Sequence, residues 1–182
     1  IDQMYLMSKV IEVKMAPFYI IFEIVGTPLN GEGWANANFY IKTTLVNKCA
    51  VSLSGYKWCN STSECTPSTT ASGMTGNILV SNESANNVVC VSAVNNSGYT
   101  KTKCSDYYKL DKTGPIFSGI GDTTIQRYGT IDLAKDVSIT DALSGLSSTY
   151  SYNPTTIDTS SVGTTNVTYT AVDKLGNSTS IV

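Results

Sequence analysis

The chain has 182 residues, 14 % of them charged, a net charge of −2 and no histidine. That balance gives no electrostatic footprint for nucleic acid or an anionic membrane surface. Without histidine there is no Ser-His-Asp triad, no Cys-His pair and no His-ligated zinc, while carboxylate pairs, lysine bases and all-oxygen metal sites stay open.

In chain order, residues 1–14 come first, with strand composition at Ser8-Lys-Val-Ile-Glu-Val13. They read as the last strand of a preceding unit or as an added extension. The run Phe18-Tyr-Ile-Ile-Phe-Glu-Ile-Val25 is the most apolar in the chain. It is interrupted by Glu23 and falls far short of the roughly 20 residues needed to span a bilayer, so no membrane insertion is expected. The start lacks a basic n-region and a cleavage site, so the chain reads as a piece of a larger protein. Further strands are expected at 38–46, 54–59, 76–81, 87–94 and 100–109, after a first at 17–25. Val13-Lys14-Met15-Ala16-Pro17 is echoed by Asp111-Lys112-Thr113-Gly114-Pro115, each a Lys three residues before a Pro that opens an apolar strand. Proline fixes φ where no ladder donor is required, so each echo reads as a junction between units. After the second come strands at 115–120, 130–133, 136–140, 147–152, 166–172 and 178–182, the last continuing past Val182. Helical periodicity is never sustained, and Gly, Asn, Ser and Pro punctuate the runs. This is the pattern of an all-β, sandwich-type fold.

Residues 88–100, V-V-C-V-S-A-V-N-N-S-G-Y-T, are repeated at 166–178 as N-V-T-Y-T-A-V-D-K-L-G-N-S. Val89 falls on Val167, Ala93-Val94 on Ala171-Val172 and Gly98 on Gly176. Each copy is an alternating strand running into a tight polar turn, a hairpin signature. Period-two alternation puts Val89, Val91 and Ala93, and likewise Val167, Tyr169 and Ala171, on the core face. Cys90 then points outward, a poor position for a buried bond between sheets.

The five cysteines, Cys49, Cys59, Cys65, Cys90 and Cys104, form no C-x-x-C pair. An oxidising compartment with two disulfides accounts for them better than zinc. Cys90 and Cys104 lie seven residues either side of Ser97, so a symmetric hairpin sets them opposite each other. Cys59 and Cys65 flank a polar loop and would clamp its base. Cys49 is then left over; a Cys49–Cys90 bridge that frees Cys104 is the competing arrangement.

Thr156 to Asn177 closely resembles the C-terminal half of bacterial immunoglobulin-like surface-protein repeats. It carries their D-x-S-x-x-G-T-x-x-V-x-Y-x-A-x-D-x-x-G-N pattern, and Thr140-Asp141-Ala-Leu-Ser-Gly145 resembles their T-D-x-x-S-G turn. The resemblance covers nearly all of 112–182. It is looser over 16–110, where Asn95 replaces the turn Asp and Tyr99 the turn Asn. It implies two tandem immunoglobulin-like Greek-key β-sandwiches, 15–111 and 112–182, acting as an extracellular spacer, adhesive module or accessory part of a secreted protein.

Among the candidate sites, Asp173 with Asp141 or Asp111 offers hard oxygens for calcium. The simpler reading is that Asp173 hydrogen-bonds its own turn, a role Asn95 fills equally well, so no metal or other cofactor is expected. Trp34 and Tyr99 are candidate ligand contacts, since aromatic rings suit sugar faces; core packing is the ordinary alternative, especially for Trp58. A Lys–Asn cross-link built on Lys14 or Lys42 with Glu23 finds no support in the sequence. No set of acids is singled out for catalysis. The expected role is non-catalytic: a bacterial surface or secreted stalk whose partners are neighbouring immunoglobulin-like units. The alternatives are a module that binds a glycan or host protein and an accessory region of a carbohydrate-active enzyme.

Overall fold

The computed structural model describes residues 18–26, 29–46, 53–71, 75–95 and 98–182. The expected strand at 8–13, the Lys14–Pro17 junction and Cys49 lie outside the described residues. The described chain is all-β, with no helix.

Among the described residues nine strands precede Asp111: β1 (Tyr19–Val25), β2 (Trp34–Ala35), β3 (Phe39–Val46), β4 (Leu53–Ser61), β5 (Thr69–Ala71), β6 (Thr75–Val80), β7 (Ser84–Asn95), β8 (Thr100–Cys104) and β9 (Tyr108–Leu110). They form one sheet in the order β1-β3-β6 and another in the order β2-β9-β7-β4-β5, with β8 also paired to β7. The inward residues follow from alternation. Phe39, Ile41, Thr43 and Leu45 of β3 are buried, while the residues between them are not. Val89, Val91 and Ala93 of β7 meet Phe18, Ile20, Phe39, Ile41, Ile78 and Val80 in one apolar cluster, as expected for two facing sheets. Each Val, Ile or Phe side chain among them contributes about 1.5–3 kcal/mol on burial.

Side-chain donors tie both open seams between these sheets. The Lys101 and Lys103 ammonium groups donate to the carbonyls of Phe18 (3.4 Å) and Ile20 (3.1 Å) on the β1 side. On the opposite seam the Asn60 amide donates to the Leu79 carbonyl of β6 (2.8 Å). The carbonyls of an edge strand are otherwise unpaired and invite another chain to add on.

After Asp111 come β10 (Ile116–Ser118), β11 (Ser138–Thr140), β12 (Ser151–Asn153), β13 (Thr168–Val172) and β14 (Ser178–Ile181). β10 pairs β11, and β12-β13-β14 form a separate sheet; among the described residues no ladder crosses Asp111. Phe117, Tyr150, Tyr152 and Tyr169 pack with ring centroids 5.6–6.3 Å apart. The expected strand at 130–133 is absent. Asp132 instead closes a turn, its Oδ1 accepting the Ala134 N–H at 2.9 Å and its carbonyl the Lys135 N–H at 3.3 Å. The expected strand at 147–152 begins only at Ser151, and short β2 and β5 were not foreseen.

Candidate functional site

Three five-residue turns share one hydrogen-bond plan. In Asp173–Asn177, the Asp173 N–H donates to the Asn177 carbonyl (3.0 Å) and the Gly176 N–H to the Asp173 carbonyl (3.3 Å). Asp173 Oδ1 accepts the Asn177 N–H at 2.8 Å. Asn95–Tyr99 repeats all three bonds at 3.0, 3.0 and 2.8 Å. So does Asn30–Trp34, at 2.8, 3.0 and 2.9 Å. The fourth residue of each is a glycine with positive φ, 87°, 79° and 82° respectively, a backbone state that costs other residues. The second and third turns carry no charge at the first position, so the turn requires a side-chain oxygen and a glycine, not an acid. The Asn30 copy is the one that sequence reasoning missed; the spacing Asn-x-x-Gly with an aromatic next marks it.

At Asp173 the turn does more. Its Oδ2 accepts the Asn177 side-chain amide (2.6 Å) and the Ser144 hydroxyl (3.1 Å), and Oδ1 also accepts the Leu175 N–H (2.8 Å). Asp141 Oδ1 accepts the N–H groups of Leu143 (3.2 Å) and Gly145 (2.6 Å). Asp111 Oδ1 accepts the Thr113 N–H (3.1 Å) and Oδ2 the Ser144 N–H (2.9 Å). Asp111 and Asp173 are each 1 % exposed. One carboxylate oxygen from each of Asp111, Asp141 and Asp173 lies within 4.8 Å of the others. The structure thus gathers the three sequence candidates from a linker and two turns into one cluster.

Such oxygens have the right chemistry for calcium, which takes six to eight of them. The cluster is also self-consistent without a cation. Each pair of charges within this separation repels by at least about 3.5 kcal/mol at an effective dielectric of about 20. Hydrogen bonds to charged groups each return about 1.5–3 kcal/mol, and eight donors surround the three acids. Summed, the donors are of the same order as three such repulsions.

The same residues stitch the two sets of sheets together. The Asp111 N–H donates to the Ala35 carbonyl (3.0 Å), while its carbonyl accepts the Asn177 amide (3.2 Å). Glu83 accepts the Lys112 N–H and the Thr113 hydroxyl, and Lys112 Nζ donates to Asn38 Oδ1 and the Ser81 carbonyl, both at 3.2 Å. Gly114 lies so close to β14 that a Cβ would stand 2.8 Å from Thr179 Oγ1 and 2.9 Å from the Ser178 carbonyl carbon. A larger residue there would have to displace the β14 backbone.

Cys59 pairs with Cys65 and Cys90 with Cys104. The Cys90–Cys104 bond joins directly opposed residues of β7 and β8, as hairpin symmetry predicts. Cys90 does point away from the Val89–Val91 core face, but it is fully buried, not solvent-facing. Cys59 opposes it on β4, and Cys104 on β8, so neighbouring cysteines cover it from both sides.

Trp34 and Tyr99 are not brought together. Trp34 is 7 % exposed and lies on β2, with Lys109 Nζ 5.5 Å from its ring; it is a packing residue, not an open platform. Tyr99, 51 % exposed, lies beyond the other end of β7 and packs edge-on against Phe18 at 6.0 Å. Trp58 packs half-buried against the apolar cluster. Lys42 stands between Glu23 and Asn77 in register, the residue types a Lys–Asn cross-link needs. Its side chain is 43 % exposed and ion-paired with Glu23 at 3.2 Å, not buried as that cross-link needs. An open groove of about 350 Å³ beside β11 is lined by apolar side chains, Ser138, Ser148, Thr149 and Tyr150. It offers no carboxylate, lysine or thiol to act as a base or nucleophile.

Comparison with known proteins finds no match: no family model, no curated protein and no solved structure is significantly similar to this chain. Two disulfides fit a non-cytoplasmic protein, and no helix among the described residues is long and apolar enough to cross a membrane.

Proposed function

We propose that the chain is a non-catalytic tandem of two immunoglobulin-like Greek-key sandwiches, 15–111 and 112–182, from a bacterial surface or secreted protein, and that it works as a stiff extracellular spacer. One observation carries this reading: Asp111 is bonded on one side to Ala35 and on the other to Ser144 and Asn177. A flexible linker would leave those groups to water. A junction tied through backbone and buried carboxylate holds the two units at one angle, which is what a spacer must do. The glycan- or host-protein-binding alternative calls for an exposed aromatic platform, and the burial of Trp34 removes half of the expected one.

Residual dipolar couplings of the full chain test this. A single alignment tensor should fit both units, and Asp111→Ala should require two. If the unaltered chain already needs two tensors, the stiff-spacer reading is overturned. Repeating the measurement in EDTA and at about 1 mM calcium, the range of extracellular modules, separates the hydrogen-bonded clasp from a cation site. The clasp predicts no change in tensor or melting temperature.

A further inference from the structure

The two disulfides are not independent staples. Cys59, Cys90 and Cys104 occupy one row across β4, β7 and β8, each directly opposite the next. The Sγ atoms of Cys59, Cys65 and Cys90 lie within 4.8 Å of one another although Cys59 and Cys90 are not bonded. Directly opposed residues of antiparallel strands have Cα atoms about 4.5–5.5 Å apart, inside the span a disulfide accepts. Cys90 therefore has two geometrically adequate partners, one on each side. Cys65, in the loop after β4, is half-buried, whereas Cys90 is fully buried.

We propose that these four cysteines form a thiol–disulfide exchange site, with Cys65 as the residue that takes up an external thiol. The thiolate of a small thiol attacks Cys65 Sγ, the Cys59–Cys65 bond breaks, and Cys59 leaves as a thiolate. Cys59 then attacks Cys90 Sγ in the adjacent row position. The Cys59–Cys90 bond forms, the Cys90–Cys104 bond breaks, and Cys104 leaves as a thiolate that takes a proton from water. Two disulfides exist before and two after, so no net oxidant or reductant is consumed. The proton lost by the incoming thiol is regained at Cys104. The outcome is S-thiolation of Cys65 and transfer of the covalent tie from β7–β8 to β4–β7. Strand β8, which carries the Lys101 and Lys103 ties to the β1 side, is released from its covalent bond.

The test uses the full chain carrying Cys49→Ser, so that only the four residues in question report. It is incubated with glutathione at neutral pH, quenched with N-ethylmaleimide and mapped by non-reducing peptide mass spectrometry. Expected are glutathione on Cys65, a Cys59–Cys90 cross-linked peptide, and maleimide on Cys104 at least about tenfold above the untreated protein, a ratio that reflects the exchange constant. The Cys65→Ser variant, which leaves Cys59 as a permanent thiol, should show the same cross-link with no added thiol. Absence of a Cys65 adduct, or maleimide confined to Cys59 with Cys90–Cys104 intact, overturns the proposal. If the variant does not fold, the thiol-treated chain alone decides.

Discussion

The sheets before Asp111 and those after it bury different chemistry. The first set encloses an apolar cluster in which Phe39, Ile41, Val80, Val89 and Val91 are fully buried, and it carries both disulfides. The second has no such cluster among the described residues. It packs instead a group of rings, half-buried Phe117, Tyr150 and Tyr152 around buried Tyr169, and its buried polar residues are Ser144 and Asp173. A shorter stretch of chain buries a smaller fraction of its surface. Large rings supply area with few residues, and turn hydrogen bonds supply the order that packing does not. What the contrast teaches is that the same strand-turn-strand repeat can be held from its core or from its turns.

The sharpest way to break that contrast is at Phe39. Replacing this fully buried ring with alanine should cost about 3–5 kcal/mol, read from chemical denaturation. Amide exchange should show the loss confined to strands before Asp111. Equal loss in β12–β14 would mean the two sets of sheets share one folding unit. Next is Asp173. Asp173→Ala orphans the buried Ser144 hydroxyl and the part-buried N–H groups of Leu175 and Asn177 and should cost about 2–3 kcal/mol, felt chiefly after Asp111. Asp173→Asn keeps the Oδ1 acceptor that closes the turn, as Asn95 and Asn30 do, but turns an NH2 toward the Asn177 amide and the Ser144 hydroxyl, and should cost less than alanine, about 1–2 kcal/mol. A loss as large as that of alanine would show that the Oδ2 bonds to Asn177 and Ser144, more than the turn itself, are what the residue is needed for.

The smallest effect sharpens the comparison at Tyr169, whose hydroxyl donates to the Leu133 carbonyl at 2.7 Å. Tyr169→Phe should cost about 1 kcal/mol. Burial, and then neighbouring Tyr150, Tyr152 and Asp132, push the Tyr169 phenol above its ordinary value. The folded state therefore holds this proton more tightly than the unfolded chain. Its contribution is fully present below pH about 10 and is lost as pH rises through the raised value. Tyr108 in the first set is raised too, chiefly by burial. Subtracting the alkaline unfolding curve of Tyr169→Phe from that of the unaltered chain therefore isolates the second set.

Much of this was legible in the residues. The Asn95 and Asp173 turns could be aligned because glycine at the fourth position leaves a mark that survives changes elsewhere, and the Cys90–Cys104 bond followed from the same symmetry. What was not legible depended on the third dimension. The residues alone could set Asp173 beside Asp141 or Asp111, but could not show that all three carboxylates meet in one cluster. The burial of Cys90 comes from neighbours on other strands, which alternation within β7 cannot reveal. At 130–133, a strand-like run lost to Asp132, whose side chain offers the backbone a turn in place of a ladder.

The ring-filled interior also bears on how stability varies with temperature. Exposing apolar surface raises the heat capacity of an unfolding chain, and exposing polar surface lowers it. Hydroxyl-bearing rings and buried Ser144 and Asp173 mix the two. Per residue, the sheets after Asp111 should therefore unfold with a smaller heat-capacity increment than those before it. Their stability curve is accordingly the flatter of the two, changing less between cold and warm surroundings.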